Sequence, residues 1–276
     1  MTTRIGMAQI LVEGGKPDAN LDRAVAAIGP AAALGCRAVV LPECFNLGWT
    51  DPSAREIAQP IPGPHVDRLA EAARANRVYV AAGLVEQSGP RLFNAAVLIG
   101  PTGELLLHHR KINELDIALD LYAVGDRLGV AETELGTIGL AICADNFSDS
   151  LAVGHVLARM GAQIILSPCA WAVDADHDNT RAPYGQLWLD AYSELARLYE
   201  VTVIGVSNVG WLTGGPWKGR KCIGCSLAVG PAGVLARGPY GEAAETVTVV
   251  EVEARPAVGR GTQIAVALRG RGYAGP

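Results

Sequence analysis

Short β-rich runs alternate with stretches of helical periodicity along nearly the whole chain, and no other feature restricts the fold as much. The pattern predicts strands at 4–10, 37–41, 78–84, 94–99 and 104–110, with helices at 19–33 and 66–75. The last two of these strands are separated by the turn signal Gly100, Pro101, Thr102, Gly103, so antiparallel neighbours are expected within a mixed sheet. The second half continues with strands at 137–142, 163–166 and 201–207, helices at 151–160 and 183–199, and final strands at 222–229, 233–236 and 246–252. The class is α/β. Two mixed β-sheets sandwiched between helical layers would bury these apolar runs.

With 50% hydrophobic and 18% charged residues, the 276-residue chain has the composition of a well-buried globular enzyme. No Ser-rich or charge-rich linker, internal repeat or low-complexity tract divides it, so one domain over 1–253 and a tail over 254–276 are expected. A net charge of −5 with interspersed signs provides no basic face, which argues against a nucleic-acid partner. The charge-free stretch 201–217 contains Ser207, Asn208, Pro216 and several glycines, so it does not read as a membrane-spanning helix. The opening MTTRIGMAQI reads as a strand rather than a secretory leader, and a cytoplasmic location is expected.

Six cysteines in a chain of this size fit reduced thiols. Cys222 and Cys225 have the CxxC spacing, but no second pair accompanies them and residues i and i+3 of a strand face opposite ways. His108 and His109 are separated by the same alternation, so neither is assigned to a metal.

Three apolar strands end in a reactive side chain: RAVVLPE at Glu43, ELLLHHRK at Lys111 and TIGLAIC at Cys143. Strand ends are where α/β proteins build sites, and a thiol, an ammonium and a carboxylate together supply the parts of acyl transfer. Each residue alone has an ordinary explanation as a cap, a solvated lysine or a core thiol.

What joins them is a resemblance. LPECF, HHRKIN and AICADN match, in order, the glutamate, lysine and cysteine segments of the nitrilase or carbon–nitrogen hydrolase superfamily. The likeness extends to AQI near the start, RLFNAAVLIGPTGELL before the lysine, GAQIILSPCAW after the cysteine, and VSNVG. It implies a four-layer αββα sandwich, no cofactor, a thioester intermediate and homo-oligomers, dimeric or larger, formed through the helical layer that follows Cys143. In the implied reaction Glu43 is the general base, Cys143 attacks the carbonyl of a small amide, and Lys111 with the Ala144 N–H stabilises the oxyanion. Nitrile hydrolysis, acyl transfer to an amine, and a binding module that has lost activity are the alternatives.

The chain departs from the family pattern in two places. Many members carry a second glutamate on the loop after the lysine, but here the loop reads KINELDIALDLYAVGDR. Counting back from Gly125 favours Asp120 for that place, with Glu114 as the alternative. After the cysteine no arginine occurs between Arg127 and Arg159, so a substrate carboxylate would have to rely on Arg181 or Arg220 folding in from elsewhere. A neutral or cationic substrate is therefore expected. Trp171 and Asn146 are the candidate substrate-binding residues, and the acids of AWAVDADHDNTR could bind an amine or form an ordinary solvated loop.

Overall fold

The computed structural model describes residues 2–258 and 269–272. Its first half runs β1 (Thr2–Gln9), α1 (Pro17–Ala33), β2 (Ala38–Val40), α2 (Ala54–Ile57), α3 (Pro64–Asn76), β3 (Tyr79–Ser88), β4 (Arg91–Ile99) and β5 (Leu105–Arg110). The second half runs β6 (Val130–Thr133), β7 (Gly136–Leu140), α4 (Ala152–Arg159), β8 (Ile164–Cys169), β9 (Ala172–Val173), α5 (Gln186–Tyr199), β10 (Thr202–Ser207), β11 (Val209–Trp211), β12 (Lys221–Ile223), β13 (Leu227–Gly230), β14 (Gly233–Arg237) and β15 (Thr246–Glu253).

Two six-stranded mixed sheets result, ordered β15-β1-β2-β3-β4-β5 and β14-β13-β10-β8-β7-β6. Strand alternation explains why they stack. On β1 and β2, Ile5, Met7, Ala38 and Val40 face the other sheet, where they meet Ile138, Leu140, Ile164, Leu166, Ile204 and Val206 of β7, β8 and β10. The intervening residues of the first sheet, such as Ala8 and Val39, pack outward against Leu21 and Ile28 of α1 and Leu69 of α3. Ile165 and Val203 of the second sheet likewise pack against Leu157 of α4 and Leu195 of α5. The central strands of both sheets are buried on both faces, and the architecture is the four-layer αββα sandwich.

Most expected elements appear within a few residues of their expected bounds. One does not: the run 222–229 is two strands in two sheets, because Gly224 (φ +63°) and Cys225 (φ +60°) take left-handed backbone between β12 and β13. β12 instead joins β11 and β9 in a three-stranded sheet. The short elements α2, β6, β9 and β11 carry too few residues to show a period. Of the tail, 254–258 and 269–272 are described, and Arg271 Nη2 pairs with Glu200 Oε1 at 2.7 Å, at the end of α5. The remainder of the tail lies outside the described residues. No helix among the described residues is long and apolar enough to cross a membrane.

Candidate active site

β2 and β5 of one sheet and β7 of the other direct Glu43, Lys111 and Cys143 into a single cavity. Neighbouring strands fix the backbone at each point. Lys111 N donates to Asn94 O at 2.8 Å and Glu43 N to Cys169 O at 3.1 Å. The Glu43 segment lies hard against β3: a Cβ at Gly83 would stand 2.5 Å from Glu43 Cα, so the close approach requires glycine there.

The charged groups form a compact buried cluster. Lys111 Nζ lies 2.8 Å from Glu43 Oε1 and 3.5 Å from Glu114 Oε2, and none of the three side chains is more than 1% exposed. Asn94 Nδ2 donates to the same Glu43 Oε1 at 2.6 Å. Burial disfavours the Lys111 ammonium, but the charges of Glu114 and Glu43 outweigh it and hold the lysine pKa well above its ordinary value. Glu114 is the softer member. Burial pushes its pKa up to about 7 against the pull of Lys111, with Glu43 and Asp145 adding to the rise.

Cys143 opens a single 3-10 turn, Cys143–Asn146, with φ +43°, an uncommon backbone conformation for a residue with a Cβ. Its thiol is pushed well above the usual range by its hydrogen bond with the Cys169 thiol, by burial and by the Glu43 charge, with Lys111 opposing. These surroundings favour the protonated thiol over the thiolate.

Asp145 ties the two sheets' contributions together. Its Oδ1 accepts from Ile112 N (3.1 Å) and Asn113 N (2.9 Å), just past Lys111, while its Oδ2 accepts from Ile142 N (3.0 Å), just before Cys143. His109 Nε2 lies 2.8 Å from the same Oδ2. Burial opposes the Asp145 charge, but His109 and these backbone donors hold its pKa below the ordinary carboxylate value.

The expected site residues divide cleanly by position. Glu43, Lys111 and Cys143 line the cavity, as does Trp171. Ala144 is buried directly after the cysteine. The preference for Asp120 over Glu114 requires correction: Asp120 is exposed on the surface, where its carbonyl accepts from Arg55 Nη2 at 2.8 Å, and Glu114 occupies the place beside Lys111. The physical reason is that the Asp145 bonds to Ile112 N and Asn113 N turn the loop inward directly after the lysine, whereas further on Ala118 and Tyr122 are the side chains that pack inward and Asp120 between them faces solvent. Asn146 also departs from expectation. It is buried beneath the turn, with Nδ2 donating to Ser167 Oγ at 3.0 Å, rather than lining the cavity. The loop acids are engaged on the surface, Asp174 with Arg220 at 2.9 Å and Asp178 with Arg181 at 3.4 Å.

Sequence reasoning singled out neither Asn94 nor Asp145 and gave His109 no role. Asp145 had a signal, being the acid of the AICADN segment, whereas Asn94 is an unremarkable position in a strand pattern. Among the described residues no group of three or more His, Cys, Asp or Glu is placed to hold a metal ion.

A fold of this kind with a cysteine, lysine and glutamate in one cavity defines a class, and the sequence agrees: the family described as carbon-nitrogen hydrolase matches residues 4–256, and the chain belongs to it. Among individual relatives, the omega-amidase NIT2 of Xenopus tropicalis is 33% identical over 178 residues, 61% of this chain and 63% of that protein. The matched region thus spans less than two thirds of that relative's length. A nitrilase of Pyrococcus abyssi is 34% identical over 245 residues, covering 86% of this chain and 85% of its own. In structure, an amidase from Nesterenkonia sp. superposes with a TM-score of 0.76 at 22% identity, over 91% of this chain and 90% of that one. A carbon-nitrogen hydrolase from Helicobacter pylori G27 does so with a TM-score of 0.81 at 20% identity, over 92% and 90%. At such identities the two structures speak for the fold.

Proposed function

We propose that this protein hydrolyses the C–N bond of a small amide through a thioester on Cys143. The observation that carries the reading is the shared cavity of Cys143, Lys111 and Glu43, with the lysine held in hydrogen-bond contact with the glutamate. Glu43 takes the proton of the thiol, the thiolate attacks the amide carbon, and Lys111 with the Ala144 N–H receives the developing oxyanion. Glu43 then returns the proton to the leaving amine and, with that released, activates water to clear the thioester. Glu114 keeps the ammonium charged from its second side. No step asks for a metal or cofactor.

Nitrile hydrolysis is the second reading, favoured by the nitrilase that matches 86% of this chain. Side-by-side ammonia release from an amide and the corresponding nitrile separates the two. Mass spectrometry of the protein quenched during turnover tests the shared chemistry: an acyl adduct on Cys143 is expected, and turnover with an adduct elsewhere overturns it. A cytoplasmic setting is supported by six free cysteines. A homo-oligomer is supported by Val156 of α4, an apolar side chain 42% exposed on the outer helical layer.

A further inference from the structure

Four of the chain's five tryptophans, Trp49, Trp171, Trp188 and Trp217, line this one cavity. They pack as a layered wall: Trp171 stacks on Trp188 with centroids 4.9 Å apart, and Trp49 meets Trp217 at 4.9 Å. The cavity volume is about 80 Å³, far below the roughly 300 Å³ at which pockets for drug-sized ligands begin. Among the described residues its only charged lining groups are Glu43 and Lys111, which are paired with each other.

Of the two guanidiniums that could have received a substrate carboxylate, Arg181 lies exposed beside Asp178 outside the cavity lining, and Arg220 is engaged elsewhere. Its Cζ sits 4.3 Å from the Trp217 ring centroid and its Nε lies 2.9 Å from Asp174 Oδ1, so it braces the indole from outside the cavity lining. The loop carrying Trp217 is itself pinned. Leu212 N donates to Arg220 O at 2.9 Å, and Gly215 packs so closely that a Cβ there would stand 2.3 Å from Thr50 O.

We propose that the cavity selects amides whose acyl group is short and uncharged, and that Trp217 sets the limit on its length. This rests on the amide-hydrolysis reading and adds the substrate class to it. A carboxylate on the acyl chain would be stripped of water among indoles that offer no bidentate donor. An ammonium would share the cavity with the Lys111 charge, while the acids that might receive it are already bound to that lysine.

Two isosteric pairs test the class: butyramide against β-alaninamide, whose terminal group is an ammonium, and 4-methylpentanamide against succinamate, whose terminal group is a carboxylate. In each pair kcat/KM is expected to favour the neutral member by about a hundredfold, the scale set by desolvating an unpaired charge. A preference below about tenfold, or one for either charged member, overturns the proposal while amide hydrolysis stands. Trp217→Ala, a change on a partly exposed loop, is expected to raise the kcat/KM ratio of hexanamide to butyramide about tenfold, and an unchanged ratio overturns the role of Trp217. If no amide releases ammonia, the hydrolytic reading falls, and tryptophan fluorescence titration with the same four compounds decides selectivity: tighter binding of the neutral members supports it and the reverse overturns it.

Discussion

The cavity has a polar wall and an aromatic wall, and the two are held by different physics. On the polar side each group is fixed from several elements: Lys111 between Glu43 and Glu114, Glu43 by Asn94 as well, and Asp145 by donors from both sheets. Buried charge demands this, since an unpaired ion in the interior costs several kcal/mol. The aromatic side is held mainly by stacking and apolar contact, with the Arg220 guanidinium over Trp217 and the Trp188 Nε1 bond to the Tyr184 hydroxyl at its edges, and such contacts weaken gradually when one ring is removed. Substitutions on the polar wall should therefore change rate, and those on the aromatic wall should change choice of substrate.

The largest effect expected is that of Cys143→Ala, which should abolish turnover with little loss of melting temperature, because a half-buried thiol on a cavity wall contributes little packing. Retained ammonia release by the purified variant would sink the thioester mechanism. Lys111→Met should lower kcat by about a hundredfold or more with a smaller change in KM, as removal of one oxyanion donor does elsewhere. If KM collapsed while kcat persisted, the lysine would be a substrate anchor and the polar wall would also be a binding wall.

Asp145→Asn should cost about 1.5–3 kcal/mol in stability, measured by urea denaturation, because it replaces a charged acceptor of buried backbone donors with a neutral one. A neutral effect on both stability and rate would show that the clamp does not hold the polar wall. Glu114 and Asp120 give the smallest and sharpest contrast. Asp120→Asn should be near wild type. Glu114→Gln should lower kcat about tenfold, the low end for one charged contact, and should remove an acidic limb near pH 7 from the rate profile.

The stability of the same pair tests the assignment independently. Because the folded Glu114 pKa is raised to about 7, its contribution is fully present below the ordinary glutamate value and is lost as pH rises through about 7. Wild-type melting temperature should fall across that window, and Glu114→Gln should flatten the decline. A slope that persists in Glu114→Gln but vanishes in Asp120→Asn would reverse the two roles.

Within the loop after Lys111, sequence reasoning failed in an instructive way. Both carboxylates are plausible by composition, and spacing from Gly125 pointed to Asp120. Spacing measures distance along the chain, whereas the backbone bonds from Ile112 and Asn113 to Asp145, more than thirty residues on, decide which side chain turns inward. Asn146 misled for the same reason: it follows the nucleophile in sequence, but the 3-10 turn rotates it under the site toward Ser167.

The sequence by itself determined the layered α/β architecture, because strand and helix periods are local and repeat along the chain, and it named Glu43, Lys111 and Cys143, because each ends an apolar strand in a recognisable motif. Only the tertiary structure decided which carboxylate, Glu114 rather than Asp120, stands beside Lys111, the clamp at Asp145 and the gathering of Trp49, Trp171, Trp188 and Trp217 into one wall. Those tryptophans come from separate segments, and of the four only Trp171 is singled out by the sequence as a substrate-binding candidate. A common cavity is a property of how loops from both sheets close on one another, and no local period encodes it.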